Sequence, residues 1–261
     1  MKPVADLLNL AGRVAIVTGG GKGIGRGIVL RLAEAGAVVV IADNDFTAAL
    51  QCAQDCADRG GQATAMKVDV SSEPDVTHLV TTTAHQFGSV DILVNNAGIY
   101  PVSPLAATTA EAFSRIVDVN LGSAFLTTKA ASEVMKAHGG GRIINITSID
   151  ALHPSLVGLA AYDASKHGLW GFTKNAALEL APHHIWVNAI APGGILTPGT
   201  AGAAGEDAEL DQPTEQFLAS IPMGRLGDPD EIGLVALFLA SDMAGYMTGA
   251  QIVVDGGALL T

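Results

Sequence analysis

The sequence is short of cysteine, which limits the metal and redox chemistry available to it. Cys52 and Cys56 are its two cysteines. No further cysteine or histidine accompanies them at the spacing of a zinc site. Four residues apart, they would share one face of a helix, and we interpret them as free thiols there. No grouping of His, Asp and Glu has metal-ligand spacing either, so we expect no metal.

Positive charge and long apolar runs are also scarce. Lys and Arg number 14 against 26 Asp and Glu, which gives a formal net charge of −12. Such a surface repels nucleic-acid phosphates, so we expect no nucleic-acid partner. No stretch has the apolar length of a signal peptide or a membrane span. We therefore expect a cytoplasmic protein without a membrane partner.

What the sequence does contain is a series of short β-branched segments separated by longer helical patterns. With 261 residues, 49% of them hydrophobic, the chain can bury a sizeable core in a single domain spanning 1–261. The short segments are apolar throughout, as in strands buried on both faces. Seven strands are predicted, at 13–18, 37–42, 63–68, 91–96, 142–147, 185–190 and 250–255. Helices are predicted at 23–36, 73–88, 109–137, 163–181 and 228–241. This alternation predicts an α/β fold with a doubly wound parallel sheet and helices on both faces.

The segment at about 193–222 differs from the rest in composition. It is rich in Gly, Ala and acidic residues and has weak periodicity. Long loops in compact domains are usually functional or disordered, and this one follows a strand end, where ligands of open α/β sheets bind. We interpret it as a mobile substrate lid, with a plain surface loop as the alternative.

A glycine-rich turn, VTGGGKGIGRGI at 17–28, lies between the first predicted strand and the first helix. Gly19, Gly23 and Gly25 would let the backbone turn tightly and approach a pyrophosphate closely, and the helix N-terminus would supply unpaired N–H donors. The turn is not a P-loop, because Lys22 is followed by glycine rather than Ser or Thr. The pattern predicts a dinucleotide site.

Asp43 follows the second predicted strand, near the position where an acid bonds the adenosine ribose in dinucleotide folds. A carboxylate there repels the 2′-phosphate of NADP by about 1 kcal/mol in water and about 4 kcal/mol near a protein surface. Lys22 acts in the opposite sense, because a cation in the turn could pair with that phosphate. We give Asp43 the greater weight and predict NAD; a turn or cap residue is the alternative.

Tyr162 and Lys166 lie one helical turn apart in the stretch AAYDASKHG. A free phenol has a pKa of about 10 and is a poor base at neutral pH. A neighbouring ammonium and the positive ring of an oxidised nicotinamide would lower that pKa to about 7. Tyr162 could then take a carbinol proton during hydride transfer, while Ser148 hydrogen-bonds the substrate oxygen. By itself such a pair is more often a partly exposed helix edge.

Taken in order, these features resemble the short-chain dehydrogenase/reductase family. The matching stretches are TGGGKGIG (18–25), VDV (68–70), NNAG (95–98), Asn120, Ser148, YDASK (162–166), PGGILTP (192–198), GRLGDPDEI (224–232) and VDGG (254–257). They cover nearly the whole chain, and the ordered set is specific although each piece alone is weak. The resemblance implies a single-domain Rossmann-like fold and an NAD(P)-dependent oxidoreductase.

The resemblance also implies a catalytic tetrad. Its members are Asn120, Ser148, Tyr162 and Lys166. Lys166 would also hold the nicotinamide ribose, and Asn120 would anchor a water that passes protons outward. Both roles are implied by the resemblance.

The cofactor contacts are implied in the same way. Asp69 would bond the adenine amine with Val70 beside the ring, Asn95 and Gly98 would form the floor of the site, and Thr197 would reach the nicotinamide amide. The full set of expected cofactor-binding residues is Gly19, Lys22, Gly23, Ile24, Gly25, Asp43, Asp69, Val70, Asn96, Ala97, Gly98, Tyr162, Lys166, Pro192, Gly193, Ile195 and Thr197.

Three further residues are candidates for substrate contact. Asp150 and His153 follow Ser148 closely, and Tyr100 follows the NNAG stretch. The alternative is that all three are plain loop residues.

The expected activity is that of an NAD-dependent oxidoreductase interconverting a secondary alcohol and a ketone. One alternative is an NADPH-dependent ketoreductase of the 3-oxoacyl-carrier-protein type, which an acidic chain fits poorly because the carrier is acidic too. Another is a non-catalytic dinucleotide-sensing regulator, against which the complete tetrad argues. Small residues along the predicted helices at 109–137 and 163–181 would allow copies to pack closely, and we expect a homotetramer.

Overall fold

The computed structural model describes residues 1–154, 156–198 and 215–261. The strands are β1 (Val14–Thr18), β2 (Val38–Asp43), β3 (Gln62–Lys67), β4 (Ile92–Asn95), β5 (Gly141–Ile146), β6 (Ile185–Pro192) and β7 (Gln251–Val254). The helices are α1 (Val4–Leu7), α2 (Gly23–Glu34), α3 (Phe46–Asp58), α4 (Glu73–Phe87), α5 (Ala110–Val117), α6 (Ser123–Ala137), α7 (Ala160–Leu180), α8 (Glu215–Ala219) and α9 (Pro229–Ala240). None of these described helices is long and apolar enough to cross a membrane.

The seven strands form one parallel sheet in the order β3-β2-β1-β4-β5-β6-β7. The chain builds outward from β1 to β3, returns to the centre and then builds outward from β4 to β7. This order confirms the predicted doubly wound sheet. In such a sheet the ligand site lies at the carboxyl ends of the strands, where the strand order reverses, which here is between β1 and β4.

The sheet separates two apolar cores. Ala15 and Val17 of β1 pack in one core with Ile28 of α2, whereas Ile16 between them packs in the other core with Leu79 of α4. Successive strand side chains point to opposite faces, so a strand covered on both sides is apolar throughout. Each Ile or Val buried in this way contributes about 1.5–3 kcal/mol.

The structure corrects two helical predictions. The predicted helix at 109–137 is α5 and α6 joined by a π-helical turn, Asp118–Gly122. The helix predicted at 163–181 begins earlier, at Ala160, so Tyr162 lies within its first turn. Helix α3 is the helix on which the cysteine pair was expected, and the structure gives the bounds that the sequence analysis did not. It begins where the Asp45 side chain accepts a hydrogen bond from the N–H of Ala48.

Helices α2 and α9 pack in close contact on one face of the sheet. Glycine makes this approach possible, because a Cβ on Gly233 would lie 2.6 Å from the carbonyl oxygen of Gly27. Arg31 then joins the two helices through charged hydrogen bonds of 2.5 Å to both carboxylate oxygens of Asp230. The packing fixes the position of α2, whose N-terminus faces the carboxyl ends of the strands.

Candidate active site

A cleft of about 660 Å³ opens at the carboxyl ends of the central strands. A cavity of this size suits a cofactor or a small ligand. Every expected cofactor-binding residue lines it, and so do Ser148, Tyr100 and Asp150. Asn120 is buried beside the cleft. The structure therefore brings the predicted cofactor and catalytic residues to one place.

The glycine turn forms a backbone cradle at one end of the cleft. Gly19 and Gly23 have φ angles of +61° and +50°, a region that favours glycine. A Cβ on Gly25 would collide with the carbonyl oxygen of Gly19, and a Cβ on Gly19 would lie 2.9 Å from the Cα of Ala97. Helix α2 begins at Gly23, so its free N–H groups and positive dipole end face the cleft. The cradle fits a pyrophosphate, because backbone donors line space from which side chains are excluded.

Asn96 ties this cradle to the end of β4. Its Nδ2 donates to the carbonyl oxygens of Thr18 at 3.0 Å and Gly19 at 2.9 Å. Its backbone N–H donates to the Thr18 hydroxyl at 3.0 Å. These bonds hold the turn in shape through the protein's own groups.

Asn95 lies in a buried polar network behind the cleft, and its expected part in shaping the floor under the cofactor stays a prediction. Its Nδ2 donates to Asn145 Oδ1 at 2.9 Å, and Asn145 Nδ2 donates to Thr173 Oγ1 at 2.9 Å. The Thr127 hydroxyl donates to Asn95 Oδ1 at 2.6 Å. The network joins β4, β5, α6 and α7 beneath the catalytic residues. Sequence reasoning missed Asn145, although a polar residue inside an apolar strand was a usable signal.

Asp43 lines the end of the cleft at which adenosine is expected. Its Oδ2 accepts from the N–H of Gly21 and its Oδ1 accepts from the N–H of Asp45, both at 2.9 Å. Lys22 forms an ion pair with Asp45 at 2.7 Å, and the hydrogen bond in that pair raises the pKa of Lys22. With Asp69 and Arg115, which line the same end, three carboxylates and two cations stand there, so this end has a net negative charge.

Asp69 and Val70 line the same end of the cleft. Asp69 Oδ1 accepts from the hydroxyl of Ser71 at 2.6 Å and from its N–H at 2.9 Å, and these bonds lower the pKa of the Asp69 carboxyl. The charge of Arg115 on α5 lowers it further. The sequence analysis did not identify Arg115, because the pattern of a helix does not show which of its charged side chains lies against a cleft.

Ser148, Tyr162 and Lys166 meet at the opposite end of the cleft. Ser148 begins a short turn after β5, Tyr162 lies in the first turn of α7, and Lys166 follows one turn later. Lys166 is 4% exposed, its Nζ lies 5.5 Å from the centroid of the Tyr162 ring, and it donates to the carbonyl oxygen of Ile146 at 2.8 Å. Burial lowers the pKa of Lys166 to about 8.

Lys166 by itself does not lower the pKa of Tyr162 below its usual value, and the lowering expected from Lys166 together with an oxidised nicotinamide stays a prediction. Burial raises the pKa of the Tyr162 phenol above its usual value, a hydrogen bond with Ser148 lowers it, and the charge of Asp150 raises it further. The net effect is a raised pKa, so Lys166 does not offset the burial. Tyr162 therefore stays protonated at neutral pH until further positive charge approaches it.

Asn120 occupies the π-helical turn between α5 and α6, an irregularity often found at functional sites. Its Oδ1 accepts from the N–H of Ile99 at 2.8 Å, and its Nδ2 donates to the carbonyl oxygen of Ile99 at 2.9 Å and to the Ser165 hydroxyl at 3.0 Å. Through these hydrogen bonds the side chain connects the loop after β4 to α7. Both amide hydrogens are donated to protein atoms, so a water relay would have to use Oδ1 or the backbone of the turn.

Two of the three candidates for substrate contact lie beside the catalytic residues. The Tyr100 ring stands edge-on to the Tyr162 ring, with centroids 6.1 Å apart and planes at 68°. Asp150 is 6% exposed and accepts a hydrogen bond from the Ser148 hydroxyl at 2.8 Å. His153 is exposed and does not line the cleft.

The segment predicted as a lid falls partly outside the described residues, which omit 199–214. At its start, Gly193, Ile195 and Thr197 line the cleft. A Cβ on Gly23 would lie 3.1 Å from the Thr197 side chain, so this strand end and the glycine cradle are neighbours. The role of the segment as a lid stays a prediction.

Comparison with known proteins places the chain in a family. Residues 19–258 match the family model described as Enoyl-(Acyl carrier protein) reductase. The short chain dehydrogenase/reductase astE of Aspergillus oryzae is 42% identical over 255 residues, covering 97% of each chain. A 3-oxoacyl-[acyl-carrier-protein] reductase of Synechocystis is 40% identical over 253 residues, covering 96% of this chain and 98% of the relative. A solved 7α-hydroxysteroid dehydrogenase in complex with NADH and 7-oxo glycochenodeoxycholic acid has a TM-score of 0.91 at 35% identity, covering 98% of both chains.

Fold and cleft together define an oxidoreductase that uses a nicotinamide dinucleotide. The chain belongs to the short-chain dehydrogenase/reductase family, which confirms the resemblance drawn from its motifs.

Proposed function

We propose that this chain is an NAD-dependent dehydrogenase that interconverts a secondary alcohol and the matching ketone, with Tyr162 as general acid and base. The observation that carries the proposal is the meeting of Tyr162, Ser148 and Lys166 in the same cleft as the glycine cradle. A bound nicotinamide dinucleotide would supply the hydride acceptor or donor. The cradle, Asp43 and Asp69 would hold its pyrophosphate and adenosine.

Tyr162 is placed to move the proton. In oxidation its phenolate oxygen takes the proton of the carbinol, and in reduction the phenol returns it. Ser148 hydrogen-bonds Tyr162, so both oxygens can contact one substrate oxygen, where charge changes during the reaction. Burial raises the pKa of Tyr162. Formation of the phenolate therefore depends on additional positive charge near Tyr162, which the oxidised form of the cofactor would supply.

The preference for NAD rests on the charges at the adenosine end. A 2′-phosphate there would meet Asp43 and Asp45, while Lys22, the cation that could attract it, is paired with Asp45. Repulsion between unit charges at contact amounts to about 1 kcal/mol in water and about 4 kcal/mol near a protein surface.

The proposal is tested by supplying the purified chain with a panel of secondary alcohols and either cofactor. We expect reduction of NAD, with kcat/KM for NAD at least about tenfold above that for NADP, equivalent to about 1.4 kcal/mol. A clear preference for NADP would overturn the cofactor assignment. Tight binding of NAD without turnover of any alcohol or ketone would instead favour a dinucleotide-sensing regulator.

An NADPH-dependent 3-oxoacyl-carrier-protein ketoreductase is the second candidate, since the Synechocystis relative of that name aligns over nearly the whole chain. The net charge of −12 opposes docking of an acidic carrier. Reduction of a carrier-bound 3-oxoacyl group faster than that of free ketones would favour this candidate.

We further propose a homotetramer. Phe113 on α5, Phe125 on α6 and Leu178 on α7 are exposed, and the small residues along these helices would allow copies of the chain to pack closely. Size-exclusion chromatography with light scattering should give the mass of four chains, and a monomer at micromolar concentration would refute the proposal. The cytoplasmic location stays a prediction from the sequence, to be checked by fractionation.

A further inference from the structure

Asp150 is a buried carboxylate beside the reacting groups to which the proposed mechanism gives no role. It lines the cleft and lies in the short turn that follows Ser148. Its Oδ2 accepts from the Ser148 hydroxyl at 2.8 Å, and its backbone N–H donates to Ser148 Oγ at 3.1 Å. A serine hydroxyl has one hydrogen; this geometry directs it at Asp150, and it has to turn toward Tyr162 or the substrate oxygen when Ser148 donates to either of them. Two bonds from one residue therefore fix the position of the Ser148 oxygen.

Besides Asp150, the charged groups near Tyr162 are a buried lysine and a second carboxylate. Lys166 is buried and donates to a backbone carbonyl. Lys22 and Arg115, the other cations among the described residues that line the cleft, stand at its adenosine end. Asp163, next to Tyr162 on α7, is a second carboxylate; its pKa is raised by burial and by the charge of Asp150.

We propose that Asp150 is a positioning residue for Ser148 and that its charge restricts the reaction to substrates with no carboxylate or phosphate near the reacting carbon. The inference rests on the proposed function and narrows its substrate class to neutral secondary alcohols and ketones. A hydroxy acid would bring a second negative charge close to Asp150 in a confined cleft, where repulsion is stronger than in water. A neutral substrate meets no such repulsion.

Asp150 also acts on the catalytic tyrosine. The titratable and polar groups around Tyr162 come from three parts of the chain and are Ser148, Asp150, Tyr100, Asp163 and Lys166. After burial, which raises the pKa of Tyr162 most, Asp150 is the foremost of the charges that raise it. Oxidation needs the phenolate, so its rate increases with pH through this pKa. Removing the charge of Asp150 should therefore move the rising limb of the pH profile to lower pH.

Hydroxy acids and their methyl esters test the inference, because each pair shares a carbon skeleton and differs in charge. Suitable pairs are lactate, 3-hydroxybutyrate and mandelate with their esters. The wild type should oxidise the ester with a kcat/KM at least about tenfold above that of the acid, equivalent to about 1.4 kcal/mol. Asp150→Asn keeps an acceptor for Ser148 and removes the charge. This variant should reduce the ratio of kcat/KM for the ester to kcat/KM for the acid at least about fivefold. It should also move the rising limb of the pH profile to lower pH.

Two further variants separate charge from position. Asp150→Ala removes the acceptor as well as the charge, so kcat on the ester should fall further than in Asp150→Asn. Glu179→Gln removes an exposed carboxylate near the far end of α7 and should leave both the ratio and the pH limb where they are in the wild type. Where Asp150→Asn does not fold, Asp150→Ser takes its place, since it also offers an uncharged acceptor.

The outcomes separate failure of the inference from failure of the proposed function. Equal oxidation of acid and ester by the wild type would overturn the role of Asp150 and leave the dehydrogenase standing. The role of Asp150 is overturned equally if the uncharged variant moves neither the ratio nor the pH limb. Absence of turnover on every ester, acid and panel alcohol would overturn the proposed function, and the inference with it.

Discussion

The two ends of the cleft are built by different means. The glycine cradle is made of backbone: its shape comes from positive φ angles at Gly19 and Gly23 and from the missing side chain at Gly25. The catalytic end is made of side chains from separate parts of the chain, held by buried bonds such as those of Asn120 and Lys166. Substitutions at the first end should therefore act sterically on cofactor binding, and those at the second should act on the chemical step.

The largest effect is expected at the catalytic end, from Tyr162→Phe. Without the hydroxyl no group takes the carbinol proton, and loss of general acid–base catalysis lowers kcat by about 100- to 10,000-fold. The KM for NAD should change less than about threefold, because the cradle is untouched. Steady-state kinetics measure both. Tyr246→Phe is the matched control, since Tyr246 is fully exposed; an equal loss in both variants would contradict the assignment.

At the backbone end, Gly25→Ala should act through cofactor binding. The added Cβ collides with the carbonyl oxygen of Gly19, and displacement of the cradle by about 1 Å can lower kcat/KM for NAD by about 100-fold. Isothermal titration with NAD and activity assays measure the loss. Gly171→Ala is the control, because nothing lies within 4 Å of its added Cβ and alanine is favoured over glycine in a helix interior by about 1 kcal/mol. Undiminished NAD binding by Gly25→Ala would show that the cradle does not hold the cofactor.

A side chain at the same end should control cofactor choice. Asp43→Asn removes the charge that faces a 2′-phosphate, so the ratio of kcat/KM for NAD to that for NADP should fall about tenfold, equivalent to about 1.4 kcal/mol. Asp58→Asn, at an exposed carboxylate near the end of α3, removes the same charge away from the cleft. If both variants keep the wild-type ratio, cofactor choice does not depend on Asp43.

The smallest expected effect concerns stability and the burial of Lys166. Its pKa is about 8 in the folded chain against 10.5 for the ordinary group. Below a pH of about 8, Lys166 is protonated in both the folded and the unfolded chain, so the full cost of burying its ammonium group lowers the free energy of unfolding. Between these values the unfolded chain binds more protons, so the contribution of Lys166 to the free energy of unfolding improves as pH rises.

Lys166→Met removes this pH dependence. The Tm of the variant minus that of the wild type should therefore decrease as pH rises from below 8 to 10.5, by about 2–4 °C for each kcal/mol that the wild type gains. Thermal unfolding by circular dichroism measures it. Lys174→Met, at an exposed lysine of the same helix, controls for loss of a surface lysine. A Tm difference that grows with pH would contradict the expected direction.

The sequence was sufficient for the sheet and the cradle because their signals are local. A strand covered on both faces has to be apolar throughout, so β1 and β2 were recognisable from their residues alone. The cradle depends on glycines spaced within one turn, and Asp43 lies at a fixed distance along the chain from them. These features need no knowledge of which distant segments meet.

The catalytic end was less predictable because its properties come from contacts between distant segments. The raised pKa of Tyr162 follows from burial among groups that include Tyr100 and Asp150. The π-helical turn at Asn120 lies inside a continuous helical pattern, and its bonds to Ile99 and Ser165 join residues far apart in sequence. The family resemblance therefore indicated which residues meet there without giving their proton affinities.

The most direct test of the proposed mechanism is a pH titration of the Tyr162 phenol with and without oxidised NAD. The chain has three tyrosines, so subtracting the ultraviolet spectrum of Tyr162→Phe from that of the wild type isolates one ionisation. The mechanism predicts that the midpoint moves to lower pH when oxidised NAD is bound. A midpoint that stays in place or moves to higher pH would contradict it.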